Sequence, residues 1–354
     1  MDESIYYAKP EEGKEISRIL DASTNNGLID LLYTRRPDAY SSYMKEPGEA
    51  RVFVTRKDGK VITTCSELIR NVYIGGEESK AAYICGFKKD HEYTGGAGIS
   101  AKLVRSFVRD DIDSYFFCVL ADNNNAKDMF EKNMGIISSK KLKPFKTFIF
   151  SPKVRFKAPK HSFAFRQANK GDIPKLFSFL NSEGKKKDLF PIIKSIDDYY
   201  NLHIEDFYVL MDGDEILGAG ALWNSTPYKQ YVVKKYSMIL KIARVANPII
   251  SALGYPKLPK EKQSIDFPML SFFVIKNDNL DNYLIFLDEI RKEVGKKYGM
   301  FAFDVVEDHY ARKVLDKLPN VGFVSSIYEL KFPWSKQKTK LLNPNSLATE
   351  SGML

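Results

Sequence analysis

The sequence predicts an α/β chain of the α+β kind, built as two consecutive domains, each a mixed, mostly antiparallel sheet flanked by helices. Three observations predict it. Strand-length apolar runs alternate with segments of helical spacing. Hairpin signals join several of those runs directly. The order of elements in the first half then recurs in the second. At 354 residues the chain has room for two full cores. Its hydrophobic and charged contents, 44% and 28%, are ordinary for a globular protein.

In the first half, Ser4 to Ala8 is a short strand. Pro10 then sits where a first helical turn tolerates it, opening a helix to about Asp21. After a loop rich in Asn, Gly and Tyr, Ala50 to Arg56 reads as a strand, Asp58-Gly59 as a hairpin turn and Lys60 to Ile74 as the returning strand. The chain turns at Gly75-Gly76, passes Glu77-Glu78, and enters an apolar run, Ala81 to Phe87. A polar hinge (Lys88 to Tyr93) leads into a small-residue loop, Thr94-Gly95-Gly96-Ala97-Gly98-Ile99-Ser100. From Ala101 the spacing of Leu103, Val104, Phe107 and Val108 is that of one buried helix face. Tyr115 to Leu120 is a strand, Asn125 to Lys132 a helix and Lys141 to Pro152 the closing strand, bounding a first domain at residues 1–152.

Residues 152–161 (PKVRFKAPKH) are proline-rich and basic, and 153–161 read as a linker. The pattern repeats over residues 162–333. Ser162 to Gln167 is a strand and Asn169 to Leu180 a helix; Phe207 to Met211 pairs through Asp212-Gly213-Asp214 with Ile216 to Trp223. Leu270 to Ile275, the long helix Leu280 to Tyr298, Met300 to Val306, a helix over Asp308 to Leu318 and the strand Gly322 to Phe332 complete the set. An insertion, 224–264, interrupts it. Within the insertion Tyr236 to Leu253 is amphipathic and broken by Pro248. Such a segment closes a core or the groove between domains; with Lys234, Lys235, Lys241 and Arg244 beside its apolar residues it also suits a membrane surface. Residues 334–354 lack periodicity and read as a disordered polar tail.

The glycine loop carries the first chemical signal. Backbone N–H groups without side chains approach an anion closely, and the first turn of the following helix points the same way with the positive end of its dipole. Diphosphate is the expected guest, yet neither GxxxxGK[ST] nor the Rossmann glycine spacing is present. The whole stretch resembles the GNAT superfamily of acyl-coenzyme-A-dependent N-acyltransferases. That family's loop, Q/R-x-x-G-x-G/A, lies over Gly95-Gly96-Ala97-Gly98-Ile99-Ser100. Its later helix, N-x-x-A-x-x-x-Y-E-K-x-G-F, lies over Asn123 to Ile136, NNNAKDMFEKNMGI.

The resemblance implies two tandem GNAT-like domains and acetyl-coenzyme A or another acyl-coenzyme A as co-substrate. It implies a strand before the loop that splays from its neighbour to grip the pantetheine arm, and a loop that holds the pyrophosphate. The cofactor contacts it implies are Phe87, Lys89, Gly95, Gly96, Ala97, Gly98, Ile99, Ser100, Asn123, Asn125 and Phe130. Two of these depart from the family pattern. Gly95 stands where Arg or Gln would touch phosphate, and Phe130 where Tyr would protonate the leaving thiolate. In the second half Lys276-Asn277-Asp278-Asn279 replaces the loop and Asp308-His309-Tyr310-Ala311 only echoes the later helix, so coenzyme A is expected in the first half.

Acyl transfer to an amine needs a base for the ammonium, a donor to the thioester oxygen and an acid for the thiolate. With the hairpin centred on Gly76-Glu77, Phe87 falls opposite Ser66 or Glu67. Glu67 is therefore the geometric choice of base, directly or through water; a strand-edge carboxylate paired with Arg or Lys is the plainer reading. A backbone N–H near Phe87 is, by resemblance, the carbonyl donor. Cys65, Cys85 and Cys118 lie in strands with no CxxC pairing and read as buried thiols of a reducing compartment. His91 precedes the loop and reads as a phosphate or solvent contact. The four histidines have no metal-ligand spacing, and no metal is expected.

The net charge of +9 is uneven: residues 1–150 hold 23 Lys and Arg against 22 Asp and Glu, leaving +8 in the remainder. It is scattered there as Lys185-Lys186-Lys187, Lys234-Lys235 and Lys296-Lys297, which suits a solvated face better than a nucleic-acid reader. The opening residues show no signal peptide and the chain no 18-residue apolar run, so no membrane span and a cytoplasmic location are expected. The expected function is an N-acyltransferase moving an acetyl or acyl group from coenzyme A to a small-molecule or peptide amine, the second domain shaping the acceptor site or a homodimer contact. A GNAT fold that binds ligand without catalysis is the alternative. An aminoacyl or long-chain acyl transferase using tRNA or a lipid-like donor is a further one.

Overall fold

A computed structural model describes residues 5–22, 25–26, 29–93, 103, 106, 108–124, 126–127, 137–336, 338–350 and 352–354. Among these, the first half contributes strands β1 (Ile5–Tyr7), β2 (Asn25–Asn26), β3 (Ile29–Arg35), β4 (Glu49–Lys57), β5 (Lys60–Ile74), β6 (Glu77–Lys89), β7 (Ser114–Leu120) and β8 (Ser138–Phe150), with helices α1 (Gly13–Ala22) and α2 (Ala39–Tyr43). The second contributes β9 (Ala164–Gln167), α3 (Ile173–Gly184), β10 (Phe207–Asp212), β11 (Glu215–Trp223) and β12 (Lys229–Tyr236). Then follow α4 (Met238–Val245), α5 (Asn247–Ala252), β13 (Met269–Ile275), α6 (Leu280–Lys297), β14 (Phe301–Val306), α7 (Arg312–Leu315) and β15 (Val321–Lys331).

Twelve of the described strands form one sheet in the order β1-β4-β5-β6-β7-β15-β8-β14-β13-β11-β10-β9. Only β6·β7 and β13·β14 are parallel. Outward from the central β15·β8 pair, each side meets its strands in the same sequence, so the halves repeat one another about that pair. Each half closes its sheet with the last strand of the other: β15 lies on β7, and β8 lies on β14. The long strands follow from their apolar content. Ten consecutive residues of β5, Val61 to Arg70, are buried, because helices or loops cover both of its faces.

Several expectations are corrected here. The loop expected between the first helix and Ala50 contains β3, which pairs antiparallel with β12 of the insertion and forms a second, three-stranded sheet, β12-β3-β2. Pro248 sits in the first turn of α5, where it separates α4 from α5 without breaking either. Residues 153–161 are no free spacer: Val154 and Phe156 are buried, and the Phe156 N–H donates to Asp288 of α6. The tail, expected to be disordered, has no long regular element among its described residues but is anchored by side chains. Leu342, Leu347 and Met353 are buried, and Asp188 accepts from Asn343 N–H. Apolar residues at irregular spacing anchor it, which a search for periodicity does not see.

Candidate functional site

The parallel strands β6 and β7 pair over three residues only, Ala81↔Ser114, Ala82↔Tyr115 and Tyr83↔Phe116. Beyond Tyr83, β6 stays on β5, while β7 continues along β15 to Leu120↔Ser325. The two strands part, and a cavity of about 970 Å³ opens at the fork. Its edges are Tyr83 to Lys88 of β6 and Phe117 to Leu120 of β7. The small sheet forms the roof with Leu31, Tyr33 and Arg35 of β3 and Tyr231, Val233 and Tyr236 of β12. The floor runs on to Phe145 and Thr147 of β8, Asp304 of β14 and Phe323 of β15, and Leu240 and Pro256 to Pro259 of the insertion close one side. The lining is largely apolar, with a few polar groups, as in sites for a ligand with a long apolar part.

β6 carries a bulge at the fork. Ser66 pairs with Cys85 and Thr64 with Lys88, so Gly86 and Phe87 together oppose Cys65. The hairpin is centred on Gly75-Gly76, Ile74 facing Glu77, one residue earlier than Gly76-Glu77. With the bulge, this places Phe87 against Cys65, not against Ser66 or Glu67. Gly86 has φ +63°, and a Cβ there would lie 2.3 Å from the Tyr43 hydroxyl. Glycine is required at this point.

Glu67 faces Ile84 across the ladder, and Ile84 lines the cavity while Glu67 itself does not. One carboxylate oxygen accepts from Arg51 Nη1 at 2.7 Å; the other, buried, has no hydrogen-bond partner. Burial, opposed by Arg51 and Arg109, lifts its pKa to about 7. Phe87 and Asn123 line the cavity, and Asn123 Oδ1 accepts from Ala126 N–H. Lys89 pairs with Thr63 at the exposed end of β6 and does not line it. His91 is exposed beside Asp90. Gly95, Gly96, Ala97, Gly98, Ile99, Ser100, Asn125 and Phe130 lie outside the described residues.

Sequence reasoning missed a buried ionic cluster behind the fork. Glu46 meets Arg35 at 2.9 Å, Lys229 at 3.0 Å and Arg70 at 3.2 Å, and all four are buried. Burial pushes the Glu46 carboxyl up, but Lys229, Arg35 and Arg70 outweigh it and hold it below the usual range. Burial likewise lowers Lys229 to about 8. Arg35 also lies 3.8 Å over the Tyr43 ring. These residues come from four separated stretches, so no local motif announces them. Cys65, Cys85 and Cys118 are free thiols whose pKa values burial raises, which leaves them neutral. No cluster of three or more His, Cys, Asp or Glu side chains suited to a metal occurs among the described residues.

The second half repeats the fork but fills it. β13 and β14 pair only at Met269↔Ala302. Ala219 pairs with Val274 and Ala221 with Ser271, so Phe272 and Phe273 oppose Gly220 as Gly86 and Phe87 oppose Cys65. Phe273 packs 4.8 Å from the rings of both Tyr283 and Phe286, plugging the gap with aromatic side chains.

No family model and no curated protein sequence matches the chain. Solved structures do. Saccharomyces cerevisiae N-myristoyltransferase with bound myristoyl-CoA and inhibitors superposes with a TM-score of 0.57 at 9% identity, over 99% of this chain and 87% of that one. A GCN5-related N-acetyltransferase from Anabaena variabilis gives 0.52 at 11% identity, over 93% and 73%. A probable N-acyltransferase from Enterococcus faecalis gives 0.50 at 8% identity, over 93% and 72%. At such identities the likeness is one of fold: this chain has a GNAT-like fold.

Proposed function

We propose that the protein is an acyl-coenzyme-A-dependent N-acyltransferase whose reaction centre is the fork between β6 and β7. The observation that carries this reading is the parting of the strands at Tyr83 and Phe116 into an apolar cavity, with a bulge at Gly86-Phe87 on its edge. A pantetheine arm lies along the β6 edge that β7 has left, its amides taking the place of a neighbouring strand. The bulge turns a backbone N–H away from the β5 ladder and toward the fork, where it donates to the thioester oxygen as charge develops there. The amine nitrogen attacks the carbonyl carbon, the C–S bond breaks, and the pair of electrons leaves on sulfur.

The incoming amine must shed a proton, and Glu67 is the proposed base. Its pKa of about 7 suits proton transfer near neutrality, and its unpartnered oxygen belongs to the residue paired with Ile84 of the cavity wall, so the proposed transfer runs through a water. Glu46, held ionised by three cations, is the poorer base. The length of the apolar lining, from the fork to Met269 and Met300, supports a donor chain longer than acetyl. The residues 94–100 loop holds the pyrophosphate, as the sequence resemblance implies.

The position of Glu67 behind Ile84 favours the second reading, a GNAT fold that binds acyl-coenzyme A without catalysis. Release of free thiol from acetyl- and long-chain acyl-coenzyme A, measured against mixtures of small amines and peptides, separates the two. Amine-dependent thiol release supports the transferase; binding without release supports the second reading.

A further inference from the structure

The insertion that closes one side of the cavity turns an apolar stripe outward. Met238, Ile239, Val245, Ile249 and Leu253 on and just after α4 and α5 are between 65% and 85% exposed. Met238 and Val245, seven residues apart, share a face of α4, and Ile249 and Leu253, four apart, share a face of α5 and its C-cap. On the other side Leu240 lines the cavity and Ser251 is buried. The outward face is thus an apolar surface on an element that also forms cavity wall.

The charge around this stripe is one-sided. Residues 224–264 hold eight Lys and Arg and a single acid, Glu261. Lys229 is buried in the ionic cluster, and Lys241 lies 3.7 Å from Glu261. A Cβ built on Gly254, just after α5, would lie 4.0 Å from the Val154 backbone, so the segment bearing the exposed Lys153, Arg155 and Lys157 runs near the end of α5.

We infer that this face docks on the surface of an anionic lipid bilayer, the stripe entering the acyl boundary and the flanking cations contacting the headgroups. An apolar stripe with basic flanks is the pattern of a helix lying in a membrane interface. Each Lys or Arg near an anionic leaflet adds attraction. A second copy of the chain is the competing occupant, but a two-fold contact sets the patch against itself and brings like charges together. Among the described residues no helix is long and apolar enough to cross a membrane, so the contact is peripheral. Docking here places the cavity wall against the lipid, the phase in which long-chain donors and lipid-linked amines concentrate. The inference is independent of catalysis and is tested by binding alone.

The test is sedimentation of the full chain with vesicles of phosphatidylcholine, with and without phosphatidylglycerol, alongside sedimentation velocity without lipid. The expected result is binding to the anionic vesicles that weakens with salt. Val245→Asp with Ile249→Asp, and separately Lys241→Glu with Arg244→Glu, each weaken it about tenfold or more. All these side chains except Arg244 are largely exposed, so unchanged thermal melting serves as the folding control. The inference is overturned if anionic vesicles bind no better than neutral ones, or if both variants bind as the parent does. It is equally overturned by a lipid-free dimer that Val245→Asp dissolves while no vesicle binds.

Discussion

Gly86 of β6 and Phe272 of β13 stand at the same bulge in the two halves of the sheet. Gly86 faces the cavity with φ +63°. Phe272, at φ +54°, gives its backbone N–H to both oxygens of Glu350 at 3.0 Å. One bulge lines open space and the other is capped by a carboxylate from the tail. In the occupied copy the bulge N–H donates to a carboxyl oxygen, and the proposed reaction has the Gly86–Phe87 bulge donate in the same way to the thioester oxygen.

Substitution at the open bulge is expected to be costly. Gly86→Ala combines a backbone conformation that L side chains avoid with a contact 2.3 Å from the Tyr43 hydroxyl. The expected loss is roughly 1–3 kcal/mol of stability, together with acyl-coenzyme A affinity. Tyr43→Phe added to Gly86→Ala removes the clashing oxygen and recovers part of both. Urea unfolding and ligand titration of the single and double variants check this; no recovery would locate the cost in the backbone alone.

Glu67 sets an expected pH dependence of the rate. With its pKa near 7, turnover rises through neutrality as the carboxylate forms. Glu67→Gln removes that limb and lowers the rate by about a hundredfold, within the usual range for a general base. A variant that keeps both rate and limb removes Glu67 from the mechanism.

The buried cluster around Glu46 makes the two sides of an ion pair unequal. Glu46→Gln strands Arg35, Arg70 and Lys229 without their shared anion, and a loss of about 3–5 kcal/mol is expected. Lys229→Met leaves Glu46 two cations and costs less. Denaturant midpoints of the two variants test the order; the reverse order contradicts it.

Glu350 links stability to pH. Burial lifts its folded pKa to about 8 from the ordinary carboxylate value of 4.5, despite the Phe272 N–H that favours the ionised form. Between those values the folded chain holds a proton that the unfolded chain has released. Its contribution is therefore full at low pH and lost as pH rises through about 8, by at most about 1.4 kcal/mol per pH unit. Glu350→Gln removes this slope, so its melting temperature gains on the parent from pH 5 to pH 8. A constant difference across that range contradicts the account.

Much of the fold was legible because its signals are local. Asp58-Gly59 and Gly75-Gly76 announce the meander, and the repeated element order announces two like halves. The fork was reached through the loop and helix patterns at Gly95 to Ser100 and Asn123 to Ile136. What stayed hidden depends on distance along the chain. β3 and β12 pair across some two hundred residues, so neither Ile29–Arg35 nor Lys229–Tyr236 shows its partner locally. The exchange of β8 and β15 between halves is equally silent, because either strand would read the same in its own half. Gly86 had a signal that went unread: a lone glycine within a strand pattern marks a bulge. The bulge and the turn centre at Gly75-Gly76 together set Phe87 against Cys65; the bulge alone does not.

The central claim is that the β6–β7 fork holds an acyl-coenzyme A. Calorimetric titration of the full chain with acetyl-coenzyme A and with a long-chain acyl-coenzyme A tests it most directly. The account predicts one equivalent bound, the long-chain donor more tightly, and loss of both in Gly86→Val. Absence of binding at millimolar ligand, or binding unchanged in Gly86→Val, contradicts it.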